Sequence, residues 1–182
     1  MLALKIRDMM FAALFTALVA VLGYMPSIPL PFGVPITLQT FGVMLAGAVL
    51  GARLGGLSLL VFILLAAVGA PVLNGGAGGL TKLLGPTGGY ILSWPLAAYI
   101  IGYLAEKNWD KLNVWKLFIF NIIGGILVVY AIGIPYLVAV TEYKLVPALI
   151  GNLAFIPGDL IKAFVSAWIA IKLKKTYPII NK

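Results

Sequence analysis

Six apolar runs dominate the chain, at residues 9–24, 38–52, 57–72, 90–104, 115–141 and 146–173. Short connections between them hold most of the polar and turn-forming residues. This pattern predicts six membrane-crossing helices. A helix needs about 20 residues to cross a hydrocarbon core of about 30 Å. Several runs are shorter, so neighbouring loop residues must complete them at membrane depth. The fifth run is long enough to tilt or to include an interfacial turn, and the sixth contains Pro157-Gly158.

Two connections are unusual. The first, 26–35, carries Pro26, Pro29, Pro31 and Pro35; it cannot be helical and reads as a stiff extended segment. The second, 69–89, holds eight glycines (69, 75, 76, 78, 79, 85, 88 and 89) and few polar side chains. An apolar, glycine-rich loop reads as backbone folded against the bundle, because non-helical backbone at membrane depth must be buried in protein or line a cavity. No internal repeat is evident, which disfavours an inverted-repeat transporter.

Composition narrows the class. The 182 residues are 63% hydrophobic and 10% charged, with a mean hydropathy of +1.12. A soluble domain has roughly 25% charged residues, so too little polar surface exists here for a water-soluble globule. The chain contains no Cys and no His. Thiol catalysis, disulfides, Cys/His metal sites and a Ser-His-Asp triad are thereby excluded. The expectation is an all-α polytopic membrane protein, a single membrane-embedded domain over 1–182.

Charge then orients it. The net charge is +8, but the basic residues stand singly between apolar runs, as membrane anchors do, and not as the patch a nucleic-acid binder needs. With six spans, Lys5, Arg7, Arg53, Lys107, Lys111, Lys116, Lys172, Lys174, Lys175 and Lys182 fall on one side, and Lys82 and Lys144 on the other. Cytoplasmic loops carry the excess of Lys and Arg, so both termini are expected in the cytoplasm. The N-terminal run is long and lacks a small-x-small cleavage site, so it does not read as a cleaved signal peptide.

The candidate chemistry is concentrated in a few places. In Phe155-Ile156-Pro157-Gly158-Asp159-Leu160-Ile161-Lys162, a carboxylate and an ammonium stand three residues apart inside the last run, on one helix face. Each is expensive in lipid, so they must face the interior and pair with each other or with a ligand. Asp159 precedes Lys172 by 13 residues, roughly 20 Å of helix. That places the pair in the outer half of the bilayer, beside the two odd loops. Pro157 suits the start of a helical turn, which would put Asp159 in the first turn, where a carboxylate is favoured.

Around them, Gly85-Pro86-Thr87-Gly88-Gly89-Tyr90 comes after Gly75-Gly76-Ala77-Gly78-Gly79. It is not a P-loop, lacking Gly-Lys-Ser/Thr. Gly85 and Gly88 allow close backbone approach to a ligand or to a neighbouring helix. Thr87 and Tyr90 offer hydroxyls, and Asn74 both donor and acceptor. Gln39, in Val34-Pro35-Ile36-Thr37-Leu38-Gln39-Thr40, is the amide at the outer start of the second span; it serves a ligand or an interhelical hydrogen bond. Ala13 and Ala17 form a small-xxx-small pair, for packing within the bundle or for a partner helix. Trp94, Trp109, Trp115 and Trp168 mostly flank apolar runs as interfacial anchors, although Trp94 is also placed to wall a pocket.

The motifs at 34–40, 75–79, 85–90 and 155–162, in this order and spacing, resemble the BioY family, the biotin-binding S components of energy-coupling factor (ECF) vitamin transporters. The resemblance covers essentially the whole chain. It implies six helices, a biotin pocket near the outer face capped by loops, and a bacterial plasma-membrane location. It implies a transmembrane coupling subunit and two cytoplasmic ATPases as partners, so ATP is used by those subunits and no cofactor or metal by this chain. It places Asp159 and Lys162 on the family's ligand-binding positions, and Ala13 and Ala17 on the contact with the coupling subunit. Biotin's ureido N–H groups want acceptors and its carboxylate wants a cation. The pair supplies one acceptor and one donor. An S component for thiamine or riboflavin is the alternative. A membrane enzyme is not supported, since Asp159 is the one carboxylate deep in a span.

Overall fold

A computed structural model describes residues 5–30 and 33–176; Pro31 and Lys182 lie outside the described residues. The described residues form an all-helical bundle, with two isolated bridges, Ile28 to Ile36 and Leu73 to Ala77, and no strand. The helices are α1 (Ile6–Leu22), α2 (Gln39–Ala67), α3 (Leu80–Leu83), α4 (Gly88–Leu92), α5 (Trp94–Lys107), α6 (Val114–Ile122), α7 (Val129–Val140), α8 (Leu145–Asn152) and α9 (Ile156–Thr176). A π-helical segment, Ile123–Val128, joins α6 to α7. Among the described residues, four stretches are long and apolar enough to cross a membrane: Gln39–Ala67, Gly88–Lys107, Val114–Val140 and Leu145–Thr176.

The second and third apolar runs of the sequence both fall largely within α2. That helix is not straight. Gly51 adopts φ 82° and ψ −175°, a conformation that favours glycine. A Cβ placed on Gly55 would stand 3.0 Å from the Gly47 Cα, whereas residues eight apart in a straight helix lie about 12 Å apart. The chain therefore doubles back at Gly51. The carboxylate of Glu106, at the end of α5, accepts the Ala52 N–H at 2.8 Å. It satisfies an amide left free where helix restarts, and its charge suits a helix N-terminus.

Small residues let these helices close up. Gly47 lies against Ala98 and Ile101 of α5, and Gly102 of α5 lies against the Gly51–Ala52 backbone. The helix α1 packs on α2 through Gly42, which sits under Val19 and Leu22, and the Thr16 hydroxyl reaches the Ser58 carbonyl at 2.8 Å. The core is made of such residues as Met44, Leu59, Phe62, Ile101, Leu117 and Leu137, all fully buried. The outer surface is apolar too: Ile6, Leu14, Leu64, Val68, Trp115 and Ile150 are more than half exposed. A water-soluble protein rarely exposes so many large apolar side chains, and this surface is consistent with a membrane protein.

The two unusual loops meet. Gly75 N–H donates to Gly23 O at 2.8 Å, and the Tyr24 hydroxyl donates to Pro71 O. Asn74 donates from its amide to Ser27 Oγ at 3.2 Å. Gly79 N–H donates to Ala66 O at 2.7 Å. The glycine-rich segment is thus tied to the bundle as its composition suggests. The fourth run begins earlier than its apolar residues imply. Gly88 and Gly89 are already helical, and their lack of a side chain leaves room for Tyr136 of α7 to pack closely on α4.

Candidate functional site: a cavity around a buried acid and amine

Helix α9 starts at Ile156, so Asp159 lies in its first turn and Lys162 one turn on. Both face inward: Asp159 is 2% exposed and Lys162 9%. Lys162 Nζ donates to Asp159 Oδ1 at 2.9 Å. Two other helices complete the cluster. The Tyr130 hydroxyl of α7 donates to Asp159 Oδ2 at 2.6 Å. Thr40 of α2 accepts from Lys162 Nζ at 3.1 Å and lies 3.4 Å from Asp159 Oδ1. A buried carboxylate is tolerated when its charge is paired and its lone pairs are hydrogen-bonded, and both conditions hold.

The cluster opens onto a cavity of about 230 Å³. Gly33, Val34, Pro35 and Thr37 line it together with Leu73, Asn74 and Ala77, with Tyr90, Ile91 and Trp94, and with Val129, Tyr130 and Phe155. Lys82 and Thr87 also line it, and Lys82 is exposed. The lining is mostly apolar with a few polar groups, as small-molecule sites are.

Of the residues singled out by sequence, Asp159, Lys162, Asn74, Gln39, Thr87 and Tyr90 line this cavity, and Gly85 and Gly88 do not. Gly88 is buried against Leu83 and Tyr136, and Gly85 lies beside the Thr81 and Lys82 carbonyls, so both act in packing the loop. Gln39 is 2% exposed. Its amide donates to Val19 O at 3.1 Å and Val72 O at 3.0 Å, which ties α1 and the glycine-rich segment to α2. With both N–H groups engaged, its carbonyl oxygen is the group left for a ligand. The Tyr90 hydroxyl donates to Asn152 Oδ1 at 2.9 Å, so Tyr90 presents its ring. Trp94 walls the cavity, 4% exposed. Trp168 and Trp109 instead hold Lys172 and Lys174 over their rings, at 3.9 and 4.4 Å. Ala13 and Ala17 are exposed, while Ala12, Phe15, Thr16 and Val19 face the core; packing within the bundle does not use them.

Sequence reasoning missed Thr40 and Tyr130. Tyr130 had a signal, being one of the few polar groups in the fifth run, but its direction depends on the π-helical segment just before it.

Membrane-length helices enclosing a small-molecule cavity with an internal ion pair are the class that fold and site define. Comparison with known proteins supplies the particular membership. The chain belongs to the BioY family, whose model matches residues 1–179. It is 50% identical over 171 residues, 93% of this chain and 91% of the relative, to the probable biotin transporter BioY of Bacillus subtilis. It is 43% identical over 180 residues, 96% of each chain, to the biotin transporter BioY of Rhizobium etli. A 2.1 Å crystal structure of the S-component for biotin from an ECF-type ABC transporter matches it with a TM-score of 0.89 and 37% identity, covering 95% of both chains.

Proposed function

We propose that the chain is the biotin-capturing S component of an ECF-type uptake transporter. The observation that carries this reading is the buried Asp159–Lys162 pair at the wall of a cavity, in a chain whose relatives are named biotin transporters. Biotin is an apolar body with a ureido group at one end and a carboxylate at the other. The pair offers an acceptor and a donor to the ureido group. Lys82, an exposed residue of the lining, offers a cation to the carboxylate, and Thr87 a hydroxyl. Asn74 and the Gln39 carbonyl contribute polar contacts, and Tyr90, Trp94 and Phe155 pack against the apolar body. Thiamine is cationic and would meet Lys162 and Lys82 unfavourably, which disfavours the alternative vitamin. The family is one of transporters, and the chain is not an enzyme.

Six crossings within a single domain, with both termini in the cytoplasm of a bacterial plasma membrane, complete the reading. The reversal at Gly51 supports counting α2 as two crossings, and the ten Lys and Arg on one side against two on the other support the orientation. The cavity then opens outward. The exposed Ala13–Ala17 face is the docking surface for the transmembrane coupling subunit, since small residues permit close helix approach. Two cytoplasmic ATPases supply the energy, so ATP is hydrolysed outside this chain.

Equilibrium binding of labelled biotin to the purified chain, with thiamine and riboflavin as competitors, tests the assignment. Saturable binding that unlabelled biotin displaces and the other vitamins do not is the expected result. Absence of biotin binding, or displacement by thiamine, refutes it.

A further inference from the structure

We infer that Tyr130 is a specificity-determining residue that touches the ligand, accepting one N–H of the ureido group at its phenolic oxygen. The inference rests on the reading of the cavity as a biotin site. Its starting point is the direction of each proton in the cluster. A carboxylate paired with a lysine can only accept, so the proton in the 2.6 Å contact belongs to Tyr130 and points at Asp159 Oδ2. Tyr130 lines the cavity and is only partly buried. Its one donor is committed, and what it can show a ligand is an acceptor lone pair.

The rest of the cluster fixes the opposite polarity at Lys162. Its ammonium has three N–H donors; one goes to Asp159 Oδ1 and one to Thr40 Oγ1, leaving one for a ligand acceptor. A ureido group carries N–H donors beside a carbonyl. It fits with an N–H toward Tyr130 and its carbonyl toward Lys162. A ligand that placed a carbonyl at Tyr130 would face a lone pair and would have to pull the tyrosine proton away from Asp159.

The backbone is built to hold this arrangement. The π-helical segment, 123–128, immediately precedes Val129 and Tyr130. Such segments add a residue to a turn and rotate the next turn of helix, often at functional sites. Gly124 and Gly125 seat it against Ile101 and Met44. The Tyr130 ring is further held edge-on by Phe155, with centroids 6.4 Å apart.

The test combines Tyr130→Phe, which keeps the ring and its packing, with biotin methylated at either ring nitrogen, in calorimetric titrations of the full chain. Tyr130→Phe is expected to weaken biotin about tenfold or more, because a ligand N–H is left without a partner. For the methylated biotin that has lost the N–H read by Tyr130, the same substitution should change affinity by less than about twofold, as expected when the two changes remove one interaction. Unchanged biotin affinity in the variant overturns the inference. So does an equal loss for biotin and both methylated forms, since that pattern belongs to a purely structural tyrosine. Failure of the unaltered chain to bind biotin is a different result: it refutes the functional reading on which this inference stands.

Discussion

Asp159 Oδ1 and Lys162 Nζ meet at 2.9 Å along one face of α9, but their remaining contacts come from Thr40 of α2 and Tyr130 of α7. The ion pair is therefore a junction of three helices as well as part of the wall of a cavity. Its local half is set by i, i+3 spacing. Its tertiary half exists only when the bundle is assembled.

Asp159→Ala is expected to weaken biotin binding by more than about 2 kcal/mol, because it leaves the buried Lys162 ammonium without its counter-ion and removes an acceptor from the site. Calorimetry measures the loss. The double variant Asp159→Ala/Lys162→Met separates the two effects. It removes the stranded charge, so its thermal unfolding midpoint should recover relative to the single variant, while biotin binding stays weak. Full binding by Asp159→Ala would remove the carboxylate from the site.

Gly89→Ala should destabilise the bundle without touching the ligand. A Cβ there would overlap the Tyr136 side chain, and overpacking of this kind costs about 1–3 kcal/mol. Gly33→Ala is the contrast. Nothing lies within 4 Å of its Cβ position, but φ is +73°, so the substitution costs backbone strain alone, about 1 kcal/mol. Thermal unfolding in detergent should rank Gly89→Ala well below Gly33→Ala, and a reversed order would contradict the contact of α4 with α7.

Much of this was legible in the chain because lipid makes ionisable residues conspicuous. Asp159 and Lys162 stand out in an apolar run, and Pro157 announces the helical turn that holds the acid. The break at Gly51 falls at the end of the second apolar run, next to Arg53, where the sequence places a connection. The site's other members were not. Thr40 and Tyr130 carry hydroxyls common in membrane helices, and which way they point depends on helix rotation. For Tyr130 that rotation is set by a π-helical segment with no simple sequence signature. Gln39 read equally well as ligand contact or interhelical tie, and the nearness of Val19 and Val72 carbonyls, decided by packing, engages its amide. Gly88 shows the same limit: a glycine that admits a ligand and one that admits Tyr136 look alike until the neighbouring helix is in place.

Ala13→Trp is expected to separate capture from transport. Ala13 and Ala17 are exposed on the side of α1 away from Ala12, Phe15 and Val19, which face the core. A tryptophan there meets lipid in the isolated chain, so folding and biotin affinity should be unchanged. Against a partner helix, the same ring would hold the backbones apart where a small-xxx-small pair lets them approach closely. ATP-dependent uptake into vesicles containing the coupling subunit and both ATPases should fall to background, while calorimetry on the purified variant matches the unaltered chain. Phe15→Trp provides the control from the opposite face: Phe15 is 6% exposed, so enlarging it should lower the unfolding midpoint. Undiminished uptake by Ala13→Trp would show that the coupling subunit binds elsewhere on the bundle.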